Sequence, residues 1–376
     1  MVRRKRHTAA VALSLGLVLA GCADLSTVDD PVPGYDTAPL PSLSVGYVSA
    51  IDQIGMPVAL ETGMFEEHGL DVRLSQPFPT GVDALNALQA GEVDFVQVGT
   101  PVLAAVQKGL DVVLVGNYTG SASVRSIDET MAVVAAPRSG VTSDLSTLRG
   151  KRIGVSVGSI NHLYLLGLLQ SIKLDPGAVT VVNTAPPDLP IALQTGGIDV
   201  AIGWDPWPLL MTKQVSGARE ILRGGSHIPY VGYIVARREY VERNQDVVRR
   251  ILAARAQADQ WMRQNPDKAG ESAARWLPGT PLEIARQAIR NNLRQLDPRL
   301  SVCNFLALDT VARLLAAQGV VKPGFDVDRY LAPDSMARVA ADNPRWFQDL
   351  PAVPSTAVIA SEYRYDRETA LKACPE

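Results

Sequence analysis

The stretch ALQAGEVD at residues 87–94 decides the fold class, because it recurs further along the chain as ALQTGGID at residues 192–199. The two copies stay in register as far as Pro101 and Pro206. Each copy has the pattern of a helix end, a glycine C-cap and the start of a buried strand. An internal repeat of this kind indicates two supersecondary units of one design, so we predict two similar lobes.

Short β-type runs and amphipathic helical runs alternate around both copies, first over residues 43–115 and again over residues 152–213. The helical runs include residues 57–68, and further helices are predicted at 245–264 and 266–276. Such alternation predicts parallel sheets with crossover helices. The predicted fold class is α/β, with two lobes that each hold a mostly parallel sheet flanked by helices. Apolar runs at 130–136 and 230–236 would join the lobes as a hinge. We place lobe 1 at residues 43–130 plus about 237–340, lobe 2 at 131–236, and a C-terminal extension at 341–376.

The first 22 residues have the pattern of an export signal. Basic residues 3–6 precede an apolar run at 9–20 that is too short to span a bilayer comfortably, and LAGC at 19–22 resembles the bacterial lipobox. We expect a lipoprotein signal peptide with a lipidated Cys22, and a flexible tether at 23–42. An ordinary signal peptide with a stray cysteine is the alternative. The protein would then be lipid-anchored at the cell membrane, on its extracytoplasmic face.

The chain has three cysteines, which leaves Cys303 and Cys374 once Cys22 is lipidated. In an oxidising compartment a disulfide between these two would tie the C-terminal tail to the body. Two free thiols remain the alternative, because the sequence alone does not give the distance between them.

Composition and charge exclude several classes of function. Charged residues make up 20% of the chain, its net charge is −3, and no basic stripe marks a nucleic-acid surface. His68, His162 and His227 are far apart in sequence, so we expect no metal site. Gly150-Lys151 lacks the remainder of a phosphate-binding loop, and we expect no cofactor.

Several segments, in their order and spacing, resemble the family of periplasmic binding proteins for aliphatic sulfonates, taurine and nitrate. The resemblance covers roughly residues 43–321, and one departure is NQD at 244–246, where the family usually has NPD. It implies a monomeric, two-lobed clamp of the type II periplasmic-binding-protein design. Such a clamp closes on a small solute and delivers it to an ABC permease and its ATPase. The segments that carry the resemblance include VGY at 45–47, ALETGMF at 59–65, TGVDAL at 80–85, LRGKRIGV at 148–155 and WDP at 204–206.

The resemblance names sulfonates as the first candidate ligands, followed by taurine, nitrate and a pyrimidine-type metabolite. Loops at the carboxyl ends of strands are the expected binding site. Thr80, Thr100 and Asp205 are N-cap candidates there, and helix N-termini favour an anionic or zwitterionic solute. A free Asp205 would repel a simple anion, so it either caps its helix or faces a cationic group. The predicted ligand-binding residues are Gln53, Thr80, Gly81, Thr100, Tyr118, Asn161, His162, Trp204 and Asp205.

Each of these residues also has a structural interpretation. The caps would only stabilise helices, Trp204 would pack in the core, and a lone histidine such as His162 would be structural. If the clamp interpretation holds, hinge rotation would bring Asn161, His162 and Trp204 over the ligand.

GVSVG at residues 154–158 suggests an alternative function, because it fits the G-x-S-x-G pattern of serine hydrolases. Asp205 and His227 follow Ser156 in the order of a catalytic triad, which would make the chain a lipid-anchored serine hydrolase. Ser156, however, lies inside an apolar strand pattern, whereas a catalytic serine sits on a tight turn. We therefore favour a binding protein that is not an enzyme.

Overall fold

The computed structural model describes residues 40–360 and 363–375. The predicted signal peptide, Cys22 and most of the predicted tether lie outside the described residues. No helix in the described ranges combines the length and apolar character that a membrane span requires. Ten strands occur in the described ranges: β1 (Ser42–Gly46), β2 (Asp71–Leu74), β3 (Phe95–Val98), β4 (Val112–Thr119), β5 (Met131–Ala135), β6 (Arg152–Val155), β7 (Thr180–Asn183), β8 (Val200–Trp204), β9 (Arg219–Arg223) and β10 (Gly232–Arg237).

Helices flank these strands and dominate the chain after β10. They are α1 (Gly55–Glu61), α2 (Met64–Glu67), α3 (Gly81–Ala90), α4 (Pro101–Gln107), α5 (Ile160–Ser171), α6 (Leu189–Thr195), α7 (Trp207–Gln214), α8 (Arg238–Arg243), α9 (Gln245–Gln264), α10 (Pro266–Trp276), α11 (Leu282–Asn292), α12 (Val302–Ala317), α13 (Val327–Tyr330), α14 (Asp334–Asp342) and α15 (Arg367–Ala373).

The strands form two five-stranded sheets with the same order. The first sheet runs β2-β1-β3-β10-β4 and the second runs β7-β6-β8-β5-β9. In each sheet the parallel strands are joined by one antiparallel strand, which is β10 in the first and β5 in the second. The predicted α/β class with two similar sheets is therefore confirmed, and the repeat extends to the complete strand order.

The sequence placed residues 230–236 in the second lobe, but β10 pairs with β3 and β4 and so belongs to the first sheet. An apolar run predicts a buried strand without saying which sheet it joins. The predicted hinge segments are thus interior strands, and the chain crosses between the sheets just before them, at residues 120–130 and 224–231.

Asp128 fastens the two crossing segments together. Its carboxylate accepts hydrogen bonds from the backbone N–H groups of Ser226, His227 and Ile228 at 2.8, 2.8 and 3.3 Å. Ile127 and Pro229 form an isolated β-bridge beside these bonds. The two segments therefore form one paired connection between the sheets.

Helix predictions succeeded where apolar spacing was regular and failed at one glycine. The predicted helices at 245–264 and 266–276 coincide with α9 and α10. The predicted helix at 57–68 is two helices, because Gly63 takes a left-handed conformation with φ of 75° between them. Such a conformation interrupts the regular helix and is accessible to glycine without strain.

The C-terminal extension is attached to the crossing segment. Cys303 and Cys374 are joined by a disulfide with a Cα–Cα distance of 5.5 Å, which ties α12 to the end of α15. Arg125 donates hydrogen bonds from its Nε to the carbonyl of Cys374 at 2.6 Å and from its guanidinium to that of Leu371. The backbone N–H of Arg125 also donates to the carbonyl of Pro375 at 2.9 Å. The tail therefore packs on the connection between the sheets.

Candidate functional site

A pocket lies between the two lobes, at the carboxyl ends of their strands. About 370 Å³ of space there is free of protein atoms, counting space open to the solvent, and about 30 Å³ of it has room for a water-sized molecule. Both lobes and the second crossing segment contribute to its walls, which is the position where α/β sheets bind ligands. Its main polar and aromatic side chains are those of Asp52, Gln53, Thr100, Tyr118, Trp204 and Tyr230.

The lobes are in direct contact around this pocket. The Thr100 hydroxyl donates a hydrogen bond to the carbonyl of Gly158 at 2.9 Å. The backbone N–H of Ile51 donates to the carbonyl of Asp205 at 3.0 Å. The indole N–H groups of Trp204 and Trp207 both point at the carbonyl of Ser49, at 3.4 and 3.2 Å. Each of these bonds joins one lobe to the other, so the structure is in a closed form.

Gln53 and Tyr118 form one wall of the pocket in the first lobe. The Gln53 side-chain oxygen accepts a hydrogen bond from the backbone N–H of Val48 at 2.6 Å, and its amide nitrogen donates to the Tyr118 hydroxyl at 3.0 Å. Burial raises the pKa of Tyr118 well above its usual value. The phenol therefore stays neutral and keeps its proton for donation.

A fully buried arginine, Arg255 of α9, supports this wall from behind. It donates to the backbone carbonyls of Asp52 at 3.1 Å and Tyr118 at 2.9 Å, and to the side-chain oxygen of Gln97. Its Nε donates to Asp259 at 2.9 Å, in an ion pair with both side chains fully buried. Gly55 makes room for it, since a Cβ there would lie 2.1 Å from its Nε. Arg255 thus positions the backbone of the site and balances its own charge with Asp259.

Asp52 lies at this site and was not predicted from the sequence. It lies in a single 3₁₀ turn, Ile51–Gln53, is one of the residues that line the pocket, and is 1% exposed. Neither carboxylate oxygen has a hydrogen-bond partner among the described residues. The Tyr230 and Thr119 hydroxyls lie close enough to lower its pKa, but without hydrogen-bond geometry. Burial is the larger influence and raises the pKa of the Asp52 carboxyl to about 6.

A signal for Asp52 was present in the sequence, because it stands in the run AIDQI at 50–54, where an acidic residue interrupts apolar ones. Tyr230 was also missed as a wall residue. It begins the apolar run that was predicted as a hinge segment, and it is 5% exposed in the structure.

Asp205 does not face the pocket, and its predicted role as an N-cap is wrong. Helix α7 begins at Trp207, and no side chain caps it. The Asp205 carboxylate instead accepts two hydrogen bonds from Arg223, at 2.8 and 3.2 Å, and one from Asn291 at 2.7 Å. Burial raises the pKa of the Asp205 carboxyl, while Arg223 and Asn291 oppose that rise and Glu220 adds to it. Burial lowers the pKa of Arg223, but Asp205 and Glu220 raise it by more. Asp205 and Arg223 therefore form an ion pair in which the carboxylate is fully buried and the guanidinium is partly exposed.

The cap prediction is also wrong for Thr100 and correct for Thr80. Thr100 has helical dihedral angles and makes no cap bond, because its hydroxyl is directed across to Gly158. Thr80 forms a capping box with Asp83 at the start of α3. Its hydroxyl is therefore occupied by the helix, and Thr80 does not line the pocket.

Asn161 and His162 hold a loop of the second lobe and do not line the pocket. The Asn161 side chain accepts from the N–H of Ser156 at 3.2 Å and donates to the carbonyl of Ile202 at 3.0 Å. His162 accepts from the N–H of Gly158 at 3.2 Å, and burial lowers its pKa. Of the predicted binding residues, those whose side chains or backbone line the pocket are Gln53, Gly81, Thr100, Tyr118 and Trp204.

The residues of the proposed serine-hydrolase triad each have other partners. The Ser156 hydroxyl donates to the carbonyl of Thr184 at 3.1 Å, at the end of β6. Asp205 is engaged with Arg223, and the His227 ring packs edge-on against Tyr164 with 5.6 Å between ring centroids. In the described ranges, no group of three or more His, Cys, Asp or Glu residues could hold a metal ion.

Comparison with known proteins identifies a family for this chain. The profile of the family described as NMT1/THI5 like matches residues 50–269. A Brucella abortus protein named as a binding protein is 27% identical over 239 residues, which cover 62% of this chain and 70% of that protein. A protein of Brachyspira hyodysenteriae, named as a periplasmic binding protein of an ABC transporter, is 23% identical over 285 residues, which cover 72% of this chain and 77% of that protein.

Solved structures share the fold. The alkanesulfonate-binding protein of Xanthomonas axonopodis pv. citri, bound to MOPS, has a TM-score of 0.66 and 24% identity, covering 79% of this chain and 98% of that structure. The periplasmic nitrate-binding protein of Synechocystis PCC 6803 has a TM-score of 0.69 and 14% identity, covering 89% of this chain and 97% of that structure. The predicted two-lobed periplasmic-binding-protein fold is therefore confirmed.

Proposed function

Because the chain belongs to the NMT1/THI5-like family, we propose that it is the extracytoplasmic solute-binding component of an ABC importer and works without catalysis. The observation that carries the proposal is the pocket between the lobes, with walls from both sheets and a crossing segment. A pocket built in this way exists only when the lobes meet. The names and folds of the related binding proteins support the same interpretation.

The contacts around the pocket suggest how the protein would hold its solute. The bonds from Thr100 to Gly158 and from Ile51 to Asp205 cross between lobes, so they would form only on closing. Rotation about the paired crossing segments would open the pocket, and closing would exclude water from the solute. The closed form would then dock on the permease.

The size and walls of the pocket favour a small anionic or zwitterionic solute. The room between the closed lobes is about 30 Å³, so the pocket would admit only a small solute. Ser159 and Ile160, at the start of the twelve-residue helix α5, line it. The first N–H groups of a helix attract an anion. Sulfonates are the first candidates, since alkanesulfonate-binding proteins share this fold.

The proposal extends to features of the N-terminus and of the assembly that rest on sequence alone. Cys22 would carry the lipid anchor, because LAGC at 19–22 follows an apolar run of signal-peptide length. The protein would act as a monomer of two lobes on the outer face of the membrane. Mass spectrometry of the processed chain should find acyl groups on Cys22 and no residues before it.

The test of binding is thermal stability of the purified protein against sulfonates, nitrate, amino acids and thiamine precursors. A ligand at a hundredfold excess over its Kd stabilises the folded state by about 2.7 kcal/mol. We expect a shift of several degrees with one ligand class only. A uniform absence of shifts, combined with labelling of Ser156 by a fluorophosphonate, would instead favour the hydrolase.

A further inference from the structure

We propose that the solute carries a protonated nitrogen that lies against the Asp52 carboxylate, so that the pocket recognises a zwitterion or a cation and not a simple oxyanion. This inference rests on the proposed function as a solute-binding protein. It concerns which solute is bound, and it follows from the charges that line the pocket.

No hydrogen bond among the described residues satisfies the Asp52 carboxylate, although Tyr230, Arg255 and Thr119 lie close enough to lower its pKa against the larger effect of burial. Arg255 is the nearest buried cation, but its guanidinium bonds the backbone carbonyl of Asp52 and pairs with the Asp259 carboxylate. Both oxygens of the Asp52 side chain lack hydrogen bonds among the described residues. A fully buried carboxylate is rarely left in this state, because removing its charge from water is strongly unfavourable without compensation. A donor from the solute would supply that compensation.

The other walls of the pocket suit a cation in the same place. Tyr118, Tyr230 and Trp204 line it with aromatic rings, and burial keeps both phenols neutral by raising their pKa values. Aromatic faces attract ammonium groups, most strongly where water is excluded. Among the described residues that line the pocket there is no lysine or arginine to pair with an anion.

The two lobes therefore present opposite charges to the pocket. Ser159 and Ile160 present the positive end of α5, while Asp52 presents a carboxylate from the opposite lobe. A zwitterion would span the closed pocket, with its anionic group toward α5 and its nitrogen toward Asp52. Such a solute would interact with both lobes and would favour the closed form.

The test uses pairs of probes that differ only in the amine, such as taurine and ethanesulfonate, or β-alanine and propionate. Binding to the full chain, purified in mild detergent, is measured by calorimetry. We expect the amine-bearing members to bind and the amine-free members to bind at least tenfold more weakly. Asp52→Asn should weaken binding of the amine-bearing member by about 100-fold, because a buried charge pair loses one partner. Asp111→Asn is the matched control, since that side chain is 59% exposed and pairs with Arg238 at the surface.

The outcomes separate the inference from the proposed function. Equal or tighter binding of the amine-free probes, unaffected by Asp52→Asn, would leave a binding protein but overturn the inference. No binding by any of these probes or by nitrate would count against the proposed function, and the inference would fall with it. Circular dichroism of Asp52→Asn checks its fold, and the comparison of probes on the unaltered chain does not depend on that variant.

Discussion

Asp52 and Asp205 are two buried aspartates near the contact between the lobes, and they differ in their partners. Both are at most 1% exposed, and burial is the main cause that raises the pKa of each. Asp205 receives three hydrogen bonds from Arg223 and Asn291, whereas Asp52 receives none. Burial and a shifted pKa therefore do not distinguish a structural carboxylate from a binding one. The number of hydrogen-bond partners does distinguish the two carboxylates.

The largest effect should come from removing the paired aspartate. Asp205→Ala removes one of the two carboxylates that pair with Arg223, whose side chain is 21% exposed and keeps its bond to Glu220. Breaking a fully buried pair costs about 3–5 kcal/mol, so we expect a loss near the lower limit, about 3 kcal/mol. We expect urea denaturation to show this loss of unfolding free energy. Glu271→Ala is the control, because its pair with Arg286 is between half-exposed side chains and should contribute less than about 1 kcal/mol. Equal losses in the two variants would mean that the Asp205 pair is not buried as described.

Asp52→Asn should act in the opposite direction in the absence of solute. The amide fills the same space without a buried charge, so the free energy of unfolding at pH 7 should rise by about 2 kcal/mol. Urea denaturation of the ligand-free protein and the variant measures this change in the free energy of unfolding. A loss of stability would show that the carboxylate has a partner within the protein.

The same comparison has a defined pH dependence. Because the pKa of Asp52 rises to about 6 on folding, the folded state holds its proton to higher pH than the unfolded state does. The contribution of the protonated Asp52 carboxyl to the free energy of unfolding is complete below about pH 4 and is lost as the pH rises through 6. The stability gained by Asp52→Asn should therefore vanish between pH 7 and pH 4. Tyr118 and Tyr230, which lie near Asp52, stay protonated over this range because burial raises their pKa values. If Asp52→Asn raised the stability equally at pH 4 and pH 7, the pKa of Asp52 would not be raised on folding.

The smallest effect should come from Asn291→Ala, which removes one bond of Asp205 but not its ion pair. Asn291 belongs to α11 of the first lobe, so its bond to Asp205 holds the lobes together. A hydrogen bond to a charged group contributes about 1.5 kcal/mol, which corresponds to roughly tenfold in the ratio of open to closed forms. Small-angle scattering of the ligand-free protein would detect the larger radius. An unchanged radius, with unchanged solute affinity, would show that this bond does not hold the lobes closed.

The sequence predicted the fold better than the site, for physical reasons. Helix and strand periodicity is local, so the repeat at 87–94 and 192–199 was enough to predict two similar sheets. Gln53, Tyr118 and Trp204 were found because they follow or end strands. Asp205 was misplaced because its partners lie 18 and 86 residues away, and Asp52 was missed because an absent partner can be seen only in three dimensions.

The disulfide between Cys303 and Cys374 has a consequence for how the protein should be prepared. It links positions 71 residues apart and returns residues 371–375 to Arg125, on the connection about which the lobes would rotate. Expression in a reducing cytoplasm would leave this brace without its covalent bond, whereas secretion would form it. Samples from the two routes are different molecules for any study of lobe opening, and affinities should be compared only between batches with the same thiol content.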